Sequence, residues 1–166
     1  VGTAKRIARA AAANLVPCSL ELGGKSPFIV LEDADLEGAA ATGALMYRNA
    51  GQVCLAGTRF LVHAKVASAF ISCMRAHVEQ LTVGDPREAA TEVGPIIHPR
   101  QVERVKAFVE RAVADGAELL WGGAMHPFGA QYYQPTMLSN VKQDSEIVQN
   151  EVFGPVLTLQ TFDNDD

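Results

Sequence analysis

Strand-like and helix-like segments alternate along this chain, and that alternation constrains the fold more than any other feature. A strand that returns to its sheet through a helix returns in parallel, so the expected fold is α/β, with a mostly parallel sheet flanked by helices. Gly2 to Asn14 is rich in Ala and reads as a helix that stops before Pro17. Cys18–Leu22 reads as a short strand. Pro27–Leu31 reads as a second, and being apolar on both faces it is expected inside the sheet. Asp33 or Asp35 caps a helix through Tyr47 whose Ala39, Ala40, Ala41, Gly43 and Ala44 leave little side-chain bulk. Such a helix packs close to its neighbour and holds the segment after it at a fixed depth.

Arg59–His63 is the next expected strand, followed by a helix carrying Val66, Phe70, Met74, His77, Val78 and Leu81, and by a turn at Val83–Pro86. Pro99–Asp115 has the clearest helical pattern. Pro99 suits its first turn, Val102, Val105, Val109 and Ala112 form a stripe, and Gly116 stands where a left-handed residue ends a helix. Glu118–Trp121, Tyr132–Leu138 and Val156–Phe162 are further expected strands.

Composition excludes several classes. The 166 residues are 48% hydrophobic and 20% charged, enough for one ordinary core. The net charge of −5 with no basic run argues against nucleic acid and anionic membrane as partners. No apolar stretch has the length of a membrane span. The chain starts at Val1 within a helical pattern, so it is expected to be a piece of a longer protein. Three cysteines without CxxC spacing fit neither a disulfide framework nor a zinc site, and suggest a reducing, cytoplasmic setting.

Two side chains stand in marked contexts. Cys54 lies in Asn49-Ala50-Gly51-Gln52-Val53-Cys54-Leu55-Ala56-Gly57-Thr58-Arg59, and Glu21 in Leu20-Glu21-Leu22-Gly23-Gly24-Lys25-Ser26-Pro27. A thiol can attack a carbonyl carbon, and a carboxylate can activate the water that hydrolyses the resulting thioester. Most free cysteines are small buried hydrophobes, which is the reading for Cys18 and Cys73. The Gly-Gln before Cys54 and the Ala-Gly-Thr after it do not look like core filler. Most strand-end glutamates are solvated, but Gly23-Gly24 lets backbone wrap closely around a ligand. A desolvated pocket would suit Glu21 as a general base.

Other candidates are weaker. Lys25 reads as a solvated turn lysine. His63, His77, His98 and His126 share no spacing or acidic partner and read as structural or surface residues. Ser26 has no neighbouring base. In Asn150-Glu151-Val152-Phe153-Gly154-Pro155-Val156, Glu151 and Phe153 are two apart and can point the same way. The carboxylate could then accept bonds from ribose hydroxyls while the ring packs nearby, but on its own residues the segment reads as an ordinary loop.

Together, the Glu21 and Cys54 segments resemble the two active-site signatures of the NAD(P)-dependent aldehyde dehydrogenases. The similarity continues through Asp33-Ala34-Asp35-Leu36, Val83-Gly84-Asp85-Pro86, Gly94-Pro95-Ile96-Ile97, Gly116–Leu120, Gln134-Pro135-Thr136 and Glu151–Val156, in the family's order. The resemblance implies that Cys54 is the nucleophile, that Glu21 is the base, and that the Cys54 N–H is half of an oxyanion hole. It implies that Glu151, Phe153 and the Leu22 backbone contact NAD or NADP. Residues 1–22 would be the last helix and strand of a cofactor domain, and 23–166 an incomplete catalytic domain. The parent would be a homo-oligomer acting on a small-molecule aldehyde, and this piece alone would be nearly inactive. Acyl transfer to coenzyme A, a thiol esterase, and a non-catalytic assembly module are the alternatives. Glu21 argues against the first, since acyl transfer to a thiol needs no water-activating base.

Overall fold

The computed structural model describes residues 2–164; Val1, Asp165 and Asp166, at the outer limits of the two expected units, lie outside the described residues. Among these residues five strands form one sheet in the order β1 (Pro27–Val30), β2 (Arg59–His63), β5 (Val156–Phe162), β4 (Thr136–Ser139), β3 (Glu118–Trp121). The first four run parallel, and β3 alone pairs antiparallel, with its register shifting between Leu119 and Trp121. The mostly parallel α/β sheet expected from the alternation is therefore present. β5 sits in the middle, and its Val156, Leu157, Thr158 and Leu159 are buried, as a strand covered on both faces must be.

Among the described residues five helices accompany the sheet: α1 (Gly2–Ala13), α2 (Leu36–Ala44), α3 (Ala64–Glu79), α4 (Pro99–Ala114) and the short α5 (Glu146–Gln149), which carries no sequence signal. α2 starts at Asp35, whose carboxylate accepts from Gly38 N–H at 3.2 Å. Its small residues let it press on α3 and β2: a Cβ at Gly43 would lie 2.9 Å from the Phe60 ring and 3.0 Å from Met74 Sδ. α4 buries the expected stripe together with Phe108. It ends at Gly116, whose φ of +97° frees Ala117 N–H to bond Ala112 O at 2.9 Å. None of the helices among the described residues is long and apolar enough to cross a membrane.

Several expectations fail for identifiable reasons. Cys18–Leu22 is not a strand: the segment is exposed and pairs with no strand among the described residues. β1 is an edge strand, not an interior one, and Ile29 is left 57% exposed. Apolarity on both faces shows what a strand can bury against, not where it sits in the order. α2 stops at Ala44, and the chain tightens into a 3₁₀ turn over Leu45–Gly51. Tyr47 in that turn is fully buried, donates to Thr136 O at 3.0 Å and accepts from Trp121 Nε1 at 3.1 Å. The strand expected from Tyr132 begins only at Thr136, after Pro135, which has no N–H to offer a ladder.

Candidate active site

Three loops meet at one end of this frame. In the first, Asn49, Ala50 and Gly51 take φ of +53°, +53° and +65°, three left-handed residues in succession. Each non-glycine there costs about 1–2 kcal/mol, so the surroundings must hold it. Asn49 Nδ2 donates to Gln52 O at 3.1 Å. Gly51 lies so close to the Gly154 carbonyl that a Cβ would overlap it. The reversal brings the chain to Cys54, which is exposed.

The second loop carries Glu21. A Cβ at Gly23 would overlap the Glu151 carboxylate, and one at Gly24 would lie 3.4 Å from Cys54 O. The two glycines thus let the Glu21 segment lie against both other loops. Arg59 fastens its end, donating from Nε to Lys25 O at 3.0 Å and from its backbone to Ser26 O at 3.3 Å.

The third loop follows α5. Arg104 donates to Glu151 O, and Gln101 Nε2 to the carbonyls of Val152 and Phe153, each at 2.8 Å. These bonds hold Phe153 at a φ of +55°. Phe153 is therefore not in the extended conformation expected for it. Glu151 Oε1 is buried with no hydrogen-bond partner among the described residues.

Glu21, Leu22, Gly23, Cys54, Arg104, Glu151 and Phe153 line one open cleft of about 380 Å³. All five site residues expected from the sequence meet there, although their segments are far apart in the chain. Arg104 was missed. It lies on the polar side of α4, one helical turn from Gln101, and nothing in its sequence context separates it from any solvated arginine. A crevice of about 360 Å³ between α4 and residues 140–147 contains none of the expected residues.

Two readings of site residues change. Glu21 is exposed, so the desolvated pocket expected around it is not formed by these residues. Lys25 is half-buried, not a solvated turn residue. Burial, then the Arg59 guanidinium, pulls its ammonium pKa down to about 8, with the Glu151 carboxylate opposing.

Cys18 is exposed and so is not core filler, while Cys73 packs partly buried against the core. The histidines do have local partners. His63 and His98 cap α3 and α4 by accepting from Lys65 N–H and Arg100 N–H. His126 accepts from Phe128 N–H, and His77 Nε2 lies 2.8 Å from Glu37.

The aldehyde dehydrogenase family model matches residues 1–166. A protein of Staphylococcus saprophyticus provisionally named as an aldehyde dehydrogenase is 42% identical over 166 residues, covering 98% of this chain and 35% of that protein. The NAD+ complex of an aldehyde dehydrogenase from Bacillus cereus superposes with a TM-score of 0.91 at 38% identity, covering 98% of this chain and 33% of that one. An NADP-dependent enzyme of E. coli gives a TM-score of 0.93 at 33% identity, covering 99% and 34%. The chain spans about a third of the length of these relatives.

Proposed function

The chain belongs to the aldehyde dehydrogenase family, and we propose that it forms the thiol-bearing part of an enzyme that oxidises an aldehyde to a carboxylic acid with NAD or NADP. The observation that carries this reading is the convergence of Cys54, Glu21, Glu151, Phe153 and Leu22 on one cleft.

In the proposed reaction, Cys54 Sγ adds to the carbonyl carbon of the aldehyde, and the oxygen accepts from the Cys54 backbone N–H. NAD(P)+, when bound, supplies a hydride acceptor. Oxidation of the adduct leaves a thioester on Cys54. Glu21 then takes a proton from water, the hydroxide attacks the thioester carbon, the carbon–sulfur bond breaks to release the acid, and the proton held by Glu21 passes to the leaving sulfur to restore the thiol. Exposure of Glu21 leaves water free to reach it.

The residues present fit the cofactor. The buried Glu151 Oε1 is an acceptor that lacks a donor among the described residues, and ribose hydroxyls are donors of the right kind. Phe153 would pack beside the nicotinamide, and the Leu22 backbone would meet its carboxamide. We assign residues 1–22 to the end of a cofactor domain and 23–166 to a catalytic domain. Support comes from the first segment's placement outside the sheet. We expect the parent to be a cytoplasmic homo-oligomer, and this stretch alone to turn over little aldehyde.

The test uses the full-length protein that carries this chain. Aldehyde-dependent NAD(P)H formation with free acid as product is expected, and Cys54→Ser should abolish it, since an unactivated hydroxyl is a far weaker nucleophile than a thiolate. An active Cys54→Ser enzyme would overturn the reading. An acyl-thioester product, or ester cleavage without cofactor turnover, would replace it with one of the alternatives.

A further inference from the structure

The loop bearing Cys54 is fastened by a side chain two residues ahead of the thiol. Gln52 Nε2 donates to Asn49 O at 2.9 Å and to Pro95 O at 3.3 Å, while its Oε1 accepts from Ile97 N–H at 2.8 Å. Its backbone N–H also bonds Asn49 O, at 3.1 Å, and its carbonyl accepts from Asn49 Nδ2 at the same distance. Cys54 itself enters no hydrogen bond among the described residues. Its position is therefore set by its neighbours: by what holds Gln52 on one side, and on the other by the turn in which Ala56 N–H bonds Val53 O at 3.1 Å and Gly57 N–H meets Met46 Sδ at 3.3 Å.

The far end of this tie is itself anchored. Ile96 N–H bonds Gln131 O at 2.8 Å, and Gln131 Nε2 returns to Ile96 O at 2.7 Å. The segment then enters α4 at Pro99, and Gln101 and Arg104 on α4 hold the carbonyls of Glu151, Val152 and Phe153. A connected path thus runs from the thiol loop through Gln52, residues 95–97 and α4 to the loop of Glu151. Two walls of the cleft are set against each other by it.

We infer that Gln52 is a positioning residue that fixes the place of Cys54 relative to Glu151 and Phe153. This rests on the catalytic reading of Cys54 given above. The side chain must donate to two carbonyls and accept from an N–H with one planar group, which a carboxamide does. A methionine would fill similar space and bond neither.

The full-length protein gives the test. Gln52→Met should lower kcat by on the order of ten- to a hundredfold, the cost of a misplaced reacting group, while the aldehyde KM moves by less than about threefold. A purely structural role would lower the unfolding midpoint but leave the kcat of the folded fraction unchanged, and that result would overturn the inference. Amide hydrogen exchange supplies a measurement that needs no variant. Gln52 Oε1 is the one acceptor that the Ile97 N–H has among the described residues, so protection of that N–H by about a hundredfold or more is expected from this bond. Exchange at the unstructured rate would overturn the inference whatever the variant does. Absence of any aldehyde-dependent NAD(P)H from the unmutated protein is a different failure: it removes the catalytic reading, and the inference with it.

Discussion

Gly23 shows how an absent side chain can serve a site. The atoms nearest to a Cβ there belong to the Glu151 carboxylate, the free end of a side chain that can swing away. Gly23→Ala should therefore fold almost normally but displace Glu151. If Glu151 holds the cofactor ribose, the KM for NAD(P) should rise about tenfold or more, from the loss of about 1.5–3 kcal/mol of charged hydrogen bonding. An unchanged cofactor KM in steady-state kinetics would separate Glu151 from the cofactor. Lys25 makes a pH prediction. Its ammonium loses its proton near pH 8 when folded and near 10.5 when unfolded. Between those values the unfolded chain binds more protons, so stability should climb as pH rises from about 8 to about 10.5. Urea unfolding across that window should show the slope, and Lys25→Met should flatten it. That Cys54 and Glu21 share a cleft was legible from the glycines and the family pattern around them, whereas Glu151 was marked by the family pattern alone. The state of Lys25 was not, because its burial and its charged neighbours Arg59 and Glu151 come from remote parts of the chain.

Among the elements, the loop after α2 is the most demanding. Gly51 has a φ of +65° and abuts the Gly154 backbone, which cannot swing aside as a side chain can. Gly51→Ala should cost more than about 2 kcal/mol, combining left-handed strain with a main-chain collision, and should be read by denaturant titration. An Ala at 51 with unchanged stability would mean that the loop has another low-energy path. α4, β2 and β5 were read almost to the residue, since their patterns are local; for α4 these are a Pro at the start, a stripe and a Gly just past the end. The Cys18–Leu22 strand and the interior place given to β1 failed because strand pairing depends on a partner that the segment's own residues do not specify. In the left-handed run at Asn49–Gly51, Asn and Gly are at home, but Ala50 between them is a residue rarely found there and conceals the run.

For the whole molecule, alternation foretold a parallel sheet but not its order. Pairing Arg59 with Thr158 joins positions on either side of three helices and two strands, and no local pattern announces it. The described surface leaves Leu15, Val16, Leu20, Leu22, Ile29, Leu31 and Leu55 exposed, most of them near the edge strand β1 or in the segment before it. So much bare apolar surface is unusual for a stable monomer, and the isolated chain should self-associate. Size-exclusion chromatography with light scattering checks this; a clean monomer at high concentration would count against it. The central place of β5 has a further consequence, for the order of assembly during synthesis. Until the ribosome has released residue 162, β1–β2 and β4–β3 are two separate ribbons with nothing between them. The two halves must therefore wait for β5 before they can close, and in that interval both open flanks are available to a chaperone.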